Sequence, residues 1–383
     1  LNVRGAAQTN ALQKLAVENS RLGIPILFGL DVIHGYKTIF PIPLAEAASW
    51  DPELAEKGAA VAAREARAAG IHWTFAPMVD IARDERWGRI AEGAGEDAYL
   101  GSRMAVARVR GFQGENLAAP DRIAACLKHY VGYGAAEGGR DYNTTDISEQ
   151  ILRNVYLPPF KAGVKAGAAT LMSAFNDLNG VPASANPFTL DRILRGEWGF
   201  SGFVVSDWNS VGELIPHGVA ADCAEAAVKS LTAGVEMDME SRCYKQSLTG
   251  LVEEGVLPLK TLDEAVRRVL RIKVLLGLFE KPYTDPKLEK EVMLAGPHLE
   301  LARQMARESI VLLRNQDGVL PLAKTGITVA VVGPSSTARR SCSAPGAAKA
   351  TPAGLFRSCK VYARPWAPVQ PFSPPTAARS MAP

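Results

Sequence analysis

The 383-residue sequence lacks the signals that would place it in several large classes of protein. No apolar run approaches the ~20 residues needed to span a bilayer. No Gly-x-Gly-x-x-Gly or Walker sequence follows a strand-like segment, which disfavours a doubly wound nucleotide-binding fold. The formal net charge is only +3 and the charges are spread evenly, which argues against a nucleic-acid partner. The sequence therefore predicts contact with neither a membrane nor a nucleic acid.

Cysteine is scarce, and no two cysteines form a Cys-x-x-Cys pair; the five occupy positions 126, 223, 243, 342 and 359. A zinc site or a redox motif is therefore not expected. The odd count also argues against a disulfide framework. The chain begins at Leu1 without a Met or a charged segment leading into an apolar one, so no signal peptide is expected within it.

The sequence contains a recurring unit in which an apolar run ends in polar or charged residues. Asp207 ends such a run within 202–208. Because a buried unpaired carboxylate is costly, Asp207 is expected to emerge at the end of a strand. For Asp207 taken alone, a helix N-cap in the following loop is the alternative. Five further runs end in the same way: 24–30 before Asp31 and His34, 73–79 before Asp80, 123–127 before Lys128 and His129, 169–174 before Phe175 and Asn176, and 234–237 before Asp238.

Helical segments lie between these runs. The clearest extends from the N-cap Asp51 through Pro52 to the C-cap Gly70. Others are predicted at 148–166, 221–233 and 261–278. Alternating strands and helices are typical of a parallel sheet, and chemistry at several strand ends favours a barrel, whose active sites lie at the carboxyl ends of the strands. We therefore predict an α/β protein with a (β/α)8 TIM-like barrel.

The pattern predicts four regions: a barrel domain at 1–279 with an incomplete first strand, a linker at 280–298, the start of an α/β sandwich domain at 299–334, and an aberrant or disordered tail at 335–383. In the linker, proline and charge replace the periodic pattern. The sandwich would begin with a helix at 299–310 and a strand at 327–332. Both are expected to be poorly packed, because the sheet meant to cover them is missing.

The tail at 335–383 is rich in Ala, Pro, Ser and Arg and has few aliphatic residues. Such a composition permits a disordered segment. A shift of reading frame near Pro334 is the alternative, because a buried strand is followed there by sequence unable to complete a domain. The sequence alone leaves both interpretations open.

Several motifs occur in a fixed order along residues 1–334. They are Leu-Asp-Val-Ile-His-Gly (30–35), Phe-Ala-Pro-Met-Val-Asp (75–80), Arg-Trp-Gly-Arg (86–89), Glu-Gly-Ala-Gly-Glu-Asp (92–97), Lys-His-Tyr (128–130), Glu-Gly-Gly-Arg-Asp-Tyr-Asn (137–143), Asn-Gly-Val-Pro (179–182) and Val-Ser-Asp-Trp (205–208). Together they resemble the glycoside hydrolase family 3 β-glucosidases, especially the bacterial periplasmic type. Each motif is weak alone, but the ordered set is highly specific.

The resemblance implies retaining hydrolysis of terminal β-D-glucosyl residues from β-glucosides or short β-gluco-oligosaccharides. Asp207 would form the covalent glycosyl-enzyme, and Asp31, Arg89, Lys128 and His129 would surround the sugar in the −1 subsite. No metal ion and no organic cofactor would take part. The family type also implies a periplasmic or secreted protein.

Three further residues are carried over from the family as substrate-binding candidates. Trp208 resembles the residue that stacks near the +1 sugar. Arg140 belongs to a motif that can either touch the sugar or shape its own loop. Phe175 stands where many relatives carry a tyrosine near the nucleophile, so a hydroxyl that could orient Asp207 is absent.

These residue types also have physical interpretations of their own. A retaining glycosidase needs one carboxylate close to the anomeric carbon and a second acid on the leaving-group side. Lys128 and Arg89 are expected to lower the pKa of Asp207 and keep it ionised. Asp31 is expected to accept hydrogen bonds from sugar hydroxyls, and His129 is expected to donate one.

Structural roles are the alternatives for the basic residues. Arg89 can form an ion pair with Glu92 or Glu96, which needs no ligand. Lys128 and His129 can lie at a solvated strand end. The family resemblance favours the sugar-binding interpretation in each case.

The second acid required by the chemistry is not assigned to any residue. In this family the general acid/base is usually a glutamate of the sandwich domain. The β-N-acetylglucosaminidase branch instead uses a His–Asp pair soon after the Lys-His motif, but residues 131–147 contain no histidine. Two interpretations stay open: a β-glucosidase, or a catalytically impaired sugar-binding fragment.

Overall fold

The computed structural model describes residues 3–326 of the chain. The helices are α1 (Ala6–Glu18), α2 (Pro43–Ala47), α3 (Pro52–Ala68), α4 (Ala98–Gln113), α5 (Glu149–Ile151), α6 (Leu157–Lys165), α7 (Cys223–Ala233), α8 (Cys243–Glu253), α9 (Leu259–Leu275), α10 (Pro286–Val292) and α11 (Gly296–Glu308). The strands are β1 (Gly29–Leu30), β2 (Trp73–Thr74), β3 (Cys126–Tyr130), β4 (Thr170–Ser173), β5 (Asp177–Leu178), β6 (Val181–Pro182) and β7 (Phe203–Val205). Segments Leu152–Tyr156 and Phe188–Glu197 are π-helical. Short 3₁₀ turns occupy Gly88–Glu92, Tyr133–Ala135, Glu137–Gly139, Ala183–Ala185, Gly212–Leu214 and Gln316–Gly318.

The parallel strands pair in the order in which they occur along the chain. β1 pairs with β2, and Trp73 of β2 pairs with Ala124, just before β3. β3 pairs with β4, β4 pairs with β7, and Val205 of β7 pairs with Met237. All these pairings are parallel, whereas β5 and β6 form a separate antiparallel pair. The predicted α/β architecture is therefore confirmed for the part of the chain that the structure describes.

Both faces of the parallel strands are buried, as expected where helices cover a parallel sheet. On one face, residues of β3, β4 and β7 share a core with apolar residues of α3 and α4. On the other face, the rings of Trp73 and Phe203 lie with centroids 5.2 Å apart, in a cluster that includes residues of α9. The indole Nε1 of Trp73 donates to Oγ1 of Thr170 at 2.8 Å, which satisfies the one polar atom of that ring.

Helix α3 begins and ends as predicted. The Asp51 side chain accepts a hydrogen bond from the backbone N–H of Leu54 at 2.9 Å. Gly70 follows the helix with φ of 80°, a left-handed conformation that glycine adopts without a steric cost. α3 lies so close to α4 that a Cβ on Gly111 would be 2.3 Å from the carbonyl oxygen of Glu56.

The other predicted helices are present with shifted ends. The segment predicted at 148–166 begins at the N-cap Ser148 and consists of α5, the π-helical Leu152–Tyr156 and α6. The segments at 221–233 and 261–278 correspond to α7 and α9. The predicted strands are too long. Within 73–79, β2 covers only Trp73–Thr74, although backbone hydrogen bonds to the neighbouring strands continue beyond it and Met78 pairs with Lys128.

Helix α11 corresponds to the segment predicted at 299–310, but it is well packed. Met305 is fully buried and Ala302 is nearly so, in a cluster with Phe40 and Leu54. The prediction of poor packing is therefore wrong for this helix, because its apolar face covers the outer side of α3. The predicted strand 327–332 and the tail 335–383 lie outside the described residues.

Glu65 of α3 joins this part of the chain to α11. Its fully buried side chain accepts hydrogen bonds from the backbone N–H groups of Lys37, Thr38 and Leu294, the Thr38 hydroxyl and Nδ1 of His298, at 2.7–3.1 Å. Burial by itself raises the pKa of Glu65, but these donors outweigh it, and the pKa lies below its ordinary value. Glu65 is therefore a buried carboxylate held ionised by its donors.

The segment predicted as a linker, 280–298, is docked and partly helical. It contains α10 and the first residues of α11. Nδ2 of Asn10 donates to the carbonyl of Thr284 at 2.7 Å, and Nε2 of Gln13 donates to that of Pro282 at 3.2 Å. Proline and charge replaced the apolar period here because the segment runs along α1 through polar contacts.

A disulfide bond joins Cys223 and Cys243, the first residues of α7 and α8. Their Cα atoms are 4.8 Å apart, within the usual range for a disulfide. The argument from the odd cysteine count is therefore wrong for this pair. It failed because Cys126 is a buried free thiol within β3.

Across residues 3–326, no helix combines the length and the apolar character needed to cross a membrane.

Candidate active site

Polar side chains meet where β1, β3 and β7 end. Asp31 follows β1 directly, and Asp207 lies two residues after β7. Lys128 and His129 lie within β3, not after it as predicted, and all five residues of that strand are buried. Because neighbouring parallel strands end at one edge of a sheet, residues from distant parts of the sequence come together here.

Lys128 is a buried cation between two carboxylates. Its Nζ lies 3.0 Å from Oδ1 of Asp31 and 3.8 Å from Oε2 of Glu92. Burial by itself lowers the pKa of Lys128, but Asp31 and Glu92 outweigh it and hold the pKa above its ordinary value. Only 4% of the Lys128 side chain is exposed, against 52% of that of Asp31. Asp31 therefore presents a fixed carboxylate to solvent, where it can accept hydrogen bonds from a ligand.

Arg89 lies between Glu92 and His129. Its Nε is 2.8 Å from Oε1 of Glu92, and a terminal nitrogen is 3.2 Å from Oε2, a two-point contact. The ion pair with Glu92 that formed the structural alternative is thus present. Arg89 nevertheless also belongs to the cluster of polar side chains, because one of its terminal nitrogens lies 3.0 Å from Nε2 of His129.

The contacts of His129 fix which ring nitrogen carries its proton. Nδ1 lies 2.8 Å from Oδ2 of Asp80, and Nε2 faces Arg89. Arginine can only donate, so Nε2 accepts and Nδ1–H donates to Asp80. Burial lowers the pKa of His129 well below its ordinary value, and the charges of Arg89 and Lys128 add to this, so the ring is neutral. With both nitrogens engaged, the ring has no N–H left for a sugar hydroxyl, contrary to the expected donation.

Asp207 is a buried carboxylate with one unengaged oxygen. Oδ1 accepts the backbone N–H of Trp208 at 2.7 Å. Oδ2 has no hydrogen-bond partner among the described residues, although it lies 3.4 Å from the unprotonated Nε2 of His129. Burial raises the pKa of Asp207 to about 6, against the lowering effects of Lys128, the Trp208 N–H and Arg89. The expected lowering by cations is present, but burial outweighs it.

The remaining candidates differ in how they relate to this cluster. Phe175 is 6% exposed, and its ring centroid is 5.8 Å from that of Tyr133, a ring that Arg89 overlies at 5.5 Å. Trp208 is 49% exposed. Arg140 is exposed at the end of a 3₁₀ turn, where its backbone N–H donates to the carbonyl of Glu137.

Three acidic residues of the site were missed as functional candidates. Asp80 and Glu92 stand in the motifs 75–80 and 92–97, but their roles depend on contacts that sequence does not show. Glu213 lies in the 3₁₀ turn after Asp207. Burial and the charge of Asp207 raise the pKa of this partly buried carboxyl group, and no sequence pattern marks it. Within residues 3–326, no group of three or more His, Cys, Asp or Glu side chains is arranged to hold a metal ion.

The site joins the buried carboxylate of Asp207 to a cluster of charged side chains on an α/β frame. Comparison with known proteins gives the class. Residues 2–272 match the family described as the glycosyl hydrolase family 3 N terminal domain. The match covers well over half of the chain, and the chain belongs to this family.

Curated relatives agree with the family. A periplasmic beta-glucosidase of Salmonella typhimurium is 45% identical over 334 residues, which cover 86% of this chain and 44% of that protein. A putative beta-xylosidase of Formosa agariphila is 40% identical over 341 residues, covering 87% of this chain and 45% of that protein. The chain therefore spans less than half the length of these relatives.

Solved structures give the same result. The beta-glucosidase from Listeria innocua in complex with glucose is 46% identical, with a TM-score of 0.80, and the similarity covers 84% of this chain and 45% of that one. A mutant of that enzyme in complex with laminaribiose has a TM-score of 0.81 at the same identity and coverage. The resemblance identified from the motifs is confirmed.

Proposed function

We propose that this chain carries the sugar-binding pocket and the nucleophile of a retaining β-glucosidase, which hydrolyses terminal β-D-glucosyl residues from β-glucosides or short β-gluco-oligosaccharides. One observation carries the proposal. Asp207 is buried, its Oδ1 is fixed by the Trp208 N–H, and its Oδ2 has no partner among the described residues. A carboxylate nucleophile needs such an oxygen, fixed in place with a free lone pair.

The frame that supports this site is proposed to be a (β/α)8 barrel extending to about residue 279. The parallel strands pair in chain order, which is the arrangement that such a barrel requires. The polar side chains also meet at strand ends, where barrel enzymes place their active sites. The family match to residues 2–272 supports the same architecture.

Binding of the glucosyl unit would use the polar groups at the strand ends. Asp31 accepts hydrogen bonds from sugar hydroxyls through its exposed carboxylate, and Lys128 donates to them. Arg89 donates from the guanidinium that His129 holds in place. Each of these is a charge-assisted contact, which is stronger than a neutral hydrogen bond. His129 then acts by positioning Arg89.

The chemical step would begin with attack of Asp207 Oδ2 on the anomeric carbon. A carbon–oxygen bond forms to the enzyme while the bond to the leaving group breaks, and the leaving oxygen keeps the electron pair. Water then attacks the same carbon, and the bond from that carbon to Asp207 breaks. The proton that water loses goes to the solvent or to the departed oxygen, which leaves glucose and the free carboxylate. Because the pKa of Asp207 is raised only to about 6 by burial, the nucleophile is mostly ionised at neutral pH.

A leaving group that needs no proton gives the sharpest test of the nucleophile. A dinitrophenolate departs unaided, so the chain should be glycosylated by 2,4-dinitrophenyl β-D-glucoside. General acid/base assistance contributes on the order of 10²–10⁴-fold. If the second step lacks such assistance, the covalent adduct should accumulate. Intact-mass spectrometry should then show one added hexosyl unit, and peptide mapping should place it on Asp207.

Matched variants make this test specific. Asp207→Asn should abolish labelling, because an amide cannot attack the anomeric carbon. The same change at the exposed Asp263 of α9 should leave labelling unchanged. A hexosyl unit on another residue would move the nucleophile elsewhere. Ready hydrolysis of cellobiose without an adduct would instead mean that an efficient acid/base is present.

A non-catalytic sugar-binding fragment is the second candidate function. The ordered cluster of Asp31, Lys128 and Arg89 favours it, because this cluster can bind a sugar without any reaction. Glucose binding by calorimetry, together with no adduct from the dinitrophenyl substrate, would support this candidate over the enzyme.

A periplasmic or secreted location is proposed with either function. The Cys223–Cys243 disulfide supports it, because such bonds persist in oxidising compartments. The Salmonella typhimurium relative is itself described as periplasmic. Fractionation of producing cells, with the redox state of Cys223 measured by alkylation, would test the location.

A further inference from the structure

We propose that Tyr142 is an aromatic platform for the second sugar of the substrate, the unit that leaves when the glucosidic bond is cleaved. The inference rests on the proposed function and adds a specificity residue to it. Tyr142 belongs to the motif at 137–143, in which Arg140 was the expected contact. The geometry points to the tyrosine instead.

Tyr142 is the outermost ring of an aromatic series that begins at the sugar-binding cluster. Tyr133 has its ring centroid 5.2 Å from that of His129, and Arg89 overlies it at 5.5 Å. Phe175 follows at 5.8 Å from Tyr133, and Tyr142 lies 4.4 Å from Phe175. The series therefore leads outwards from the proposed −1 pocket.

Burial changes sharply along this series. Tyr133 is fully buried and Phe175 is 6% exposed, whereas 53% of Tyr142 is exposed. One side of the Tyr142 ring is thus supported by Phe175 and another is open. A pyranose ring presents C–H groups on its faces, and these pack favourably on an aromatic face in water. The open ring is suited to a sugar that lies outside the inner pocket.

The Tyr142 backbone adopts a conformation that an unconstrained tyrosine avoids. Its φ is 65°, in the left-handed region that is unfavourable for residues with a bulky side chain. The surrounding loop holds it there: the backbone N–H of Glu137 donates to the carbonyl of Thr144 at 3.0 Å, and Nδ2 of Asn143 donates to that of Glu137 at 3.1 Å. Such strain is found where a side chain must be aimed.

Charge also relates Tyr142 to the reacting groups. Partial burial raises the pKa of Tyr142, and the carboxylates of Glu213 and Asp207 raise it further. The phenol therefore lies within the electrostatic field of the proposed nucleophile. Trp208, 49% exposed and next to Asp207 in the chain, supplies another open ring beside the nucleophile. From the outward position and open face of its ring, we assign Tyr142 to the leaving-group side.

The test separates binding of one sugar from binding of two. In an Asp207→Asn background, which prevents turnover, isothermal titration calorimetry would measure Kd for glucose and for laminaribiose. Tyr142→Ala should weaken laminaribiose binding about tenfold, the scale of one aromatic contact, and change glucose binding less than about twofold. Tyr142→Phe keeps the ring and should retain both affinities. Tyr99→Ala, at a tyrosine that is 74% exposed, is the matched control.

The outcomes distinguish the two proposals. If the Asp207→Asn chain binds neither sugar, the proposed function fails and the platform fails with it. If glucose binds but Tyr142→Ala leaves the ratio of the two Kd values unchanged, only the platform is overturned. Circular dichroism of each variant identifies any loss of fold. If Tyr142→Ala does not fold, Tyr142→Phe tests the platform instead, because weakened laminaribiose binding in that variant would contradict stacking by the ring.

Discussion

Oδ2 of Asp80 accepts two hydrogen bonds from His129, one from the backbone N–H and one from Nδ1–H, both at 2.8 Å. This pairing fixes the position of the imidazole ring and keeps its proton on Nδ1. It leaves Nε2 as an acceptor directed at Arg89. Asp80 therefore acts through His129 on the Arg89 guanidinium, which we propose binds the sugar and which Asp80 does not itself contact in any described hydrogen bond.

Asp80→Asn should weaken glucose binding by about tenfold or more, because partners that orient a ligand-binding group matter on that scale. An amide N–H facing Nδ1 moves the ring proton to Nε2, where it opposes the N–H of Arg89. Calorimetry gives the Kd, and ¹⁵N NMR of the imidazole gives the tautomer. Asp263→Asn is the exposed control. Unchanged affinity with a changed tautomer would show that Arg89 does not depend on His129.

The rate of glycosylation by the dinitrophenyl substrate should depend on pH through Asp207. Burial raises the pKa of Asp207 to about 6, and only the ionised carboxylate attacks. The rate should be level above this pH and fall about tenfold per pH unit well below it. Adduct formation followed by mass spectrometry gives the profile. A rate that stays level down to pH 4 would contradict burial as the dominant influence on this carboxyl group.

Asp207→Asn should stabilise the folded protein at pH 7. The folded-state pKa of about 6 lies above the unfolded value, so the folded state binds the proton more tightly. Stability therefore decreases as pH rises between the two values, and the ionised group costs roughly 1–3 kcal/mol above pH 6. Urea denaturation should show a gain in the variant at pH 7 that shrinks at pH 4. A variant less stable than the parent at pH 7 would show that Lys128 and Arg89 compensate the buried charge fully.

Glu65→Gln should lower the free energy of unfolding by roughly 2–4 kcal/mol, because an amide turns an N–H towards donors that then lack an acceptor. The native pKa of Glu65 is below its ordinary value, so the stability it contributes is present above the unfolded pKa. It is lost as pH falls through the folded pKa. Chemical denaturation at pH 7 measures the change. Glu291→Gln, at an exposed residue of α10, should have almost no effect.

Replacing both Cys223 and Cys243 by alanine should lower the free energy of unfolding by about 3 kcal/mol, the usual scale for a loop of this length. The bond closes a loop with a sequence separation of 20 residues and links the starts of α7 and α8. Thermal melts with and without a reducing agent provide the check. The reduced parent should melt with the double variant, and a parent unaffected by reduction would contradict a stabilising role.

The sequence-based predictions were most accurate for features that depend on local interactions, such as helix caps, or on a pattern that recurs along the chain. The α3 helix followed from its cap residues, Asp51 and Gly70. The polar ends of the apolar runs marked Asp31, Lys128 and Asp207 as candidates, and these residues do lie in one cluster, because neighbouring parallel strands end at the same edge of a sheet. Motif order then supplied the family, which strand and helix patterns alone do not specify.

The sequence predicted least where an outcome depends on a distant contact. The roles of Asp80 and His129 were not predictable, because the tautomer follows from a guanidinium supplied by a different loop. Tyr142 reaches the site only through the fold of its loop and the position of Phe175. The prediction that α11 is poorly packed was wrong because an amphipathic pattern shows that a helix has an apolar face but not which element covers that face.

The contacts of Glu65 indicate where the chain can be shortened without the loss of buried contacts. This one carboxylate holds the backbone at Lys37 and Thr38, soon after Asp31, and also Leu294 and His298 beyond the last predicted unit of the barrel. A fragment ending at residue 279 would leave the buried carboxylate of Glu65 without its donors Leu294 and His298. It would also expose the pocket that Met305 fills. Any shortened version of the chain should therefore retain α11, to residue 308, so that these buried contacts are kept.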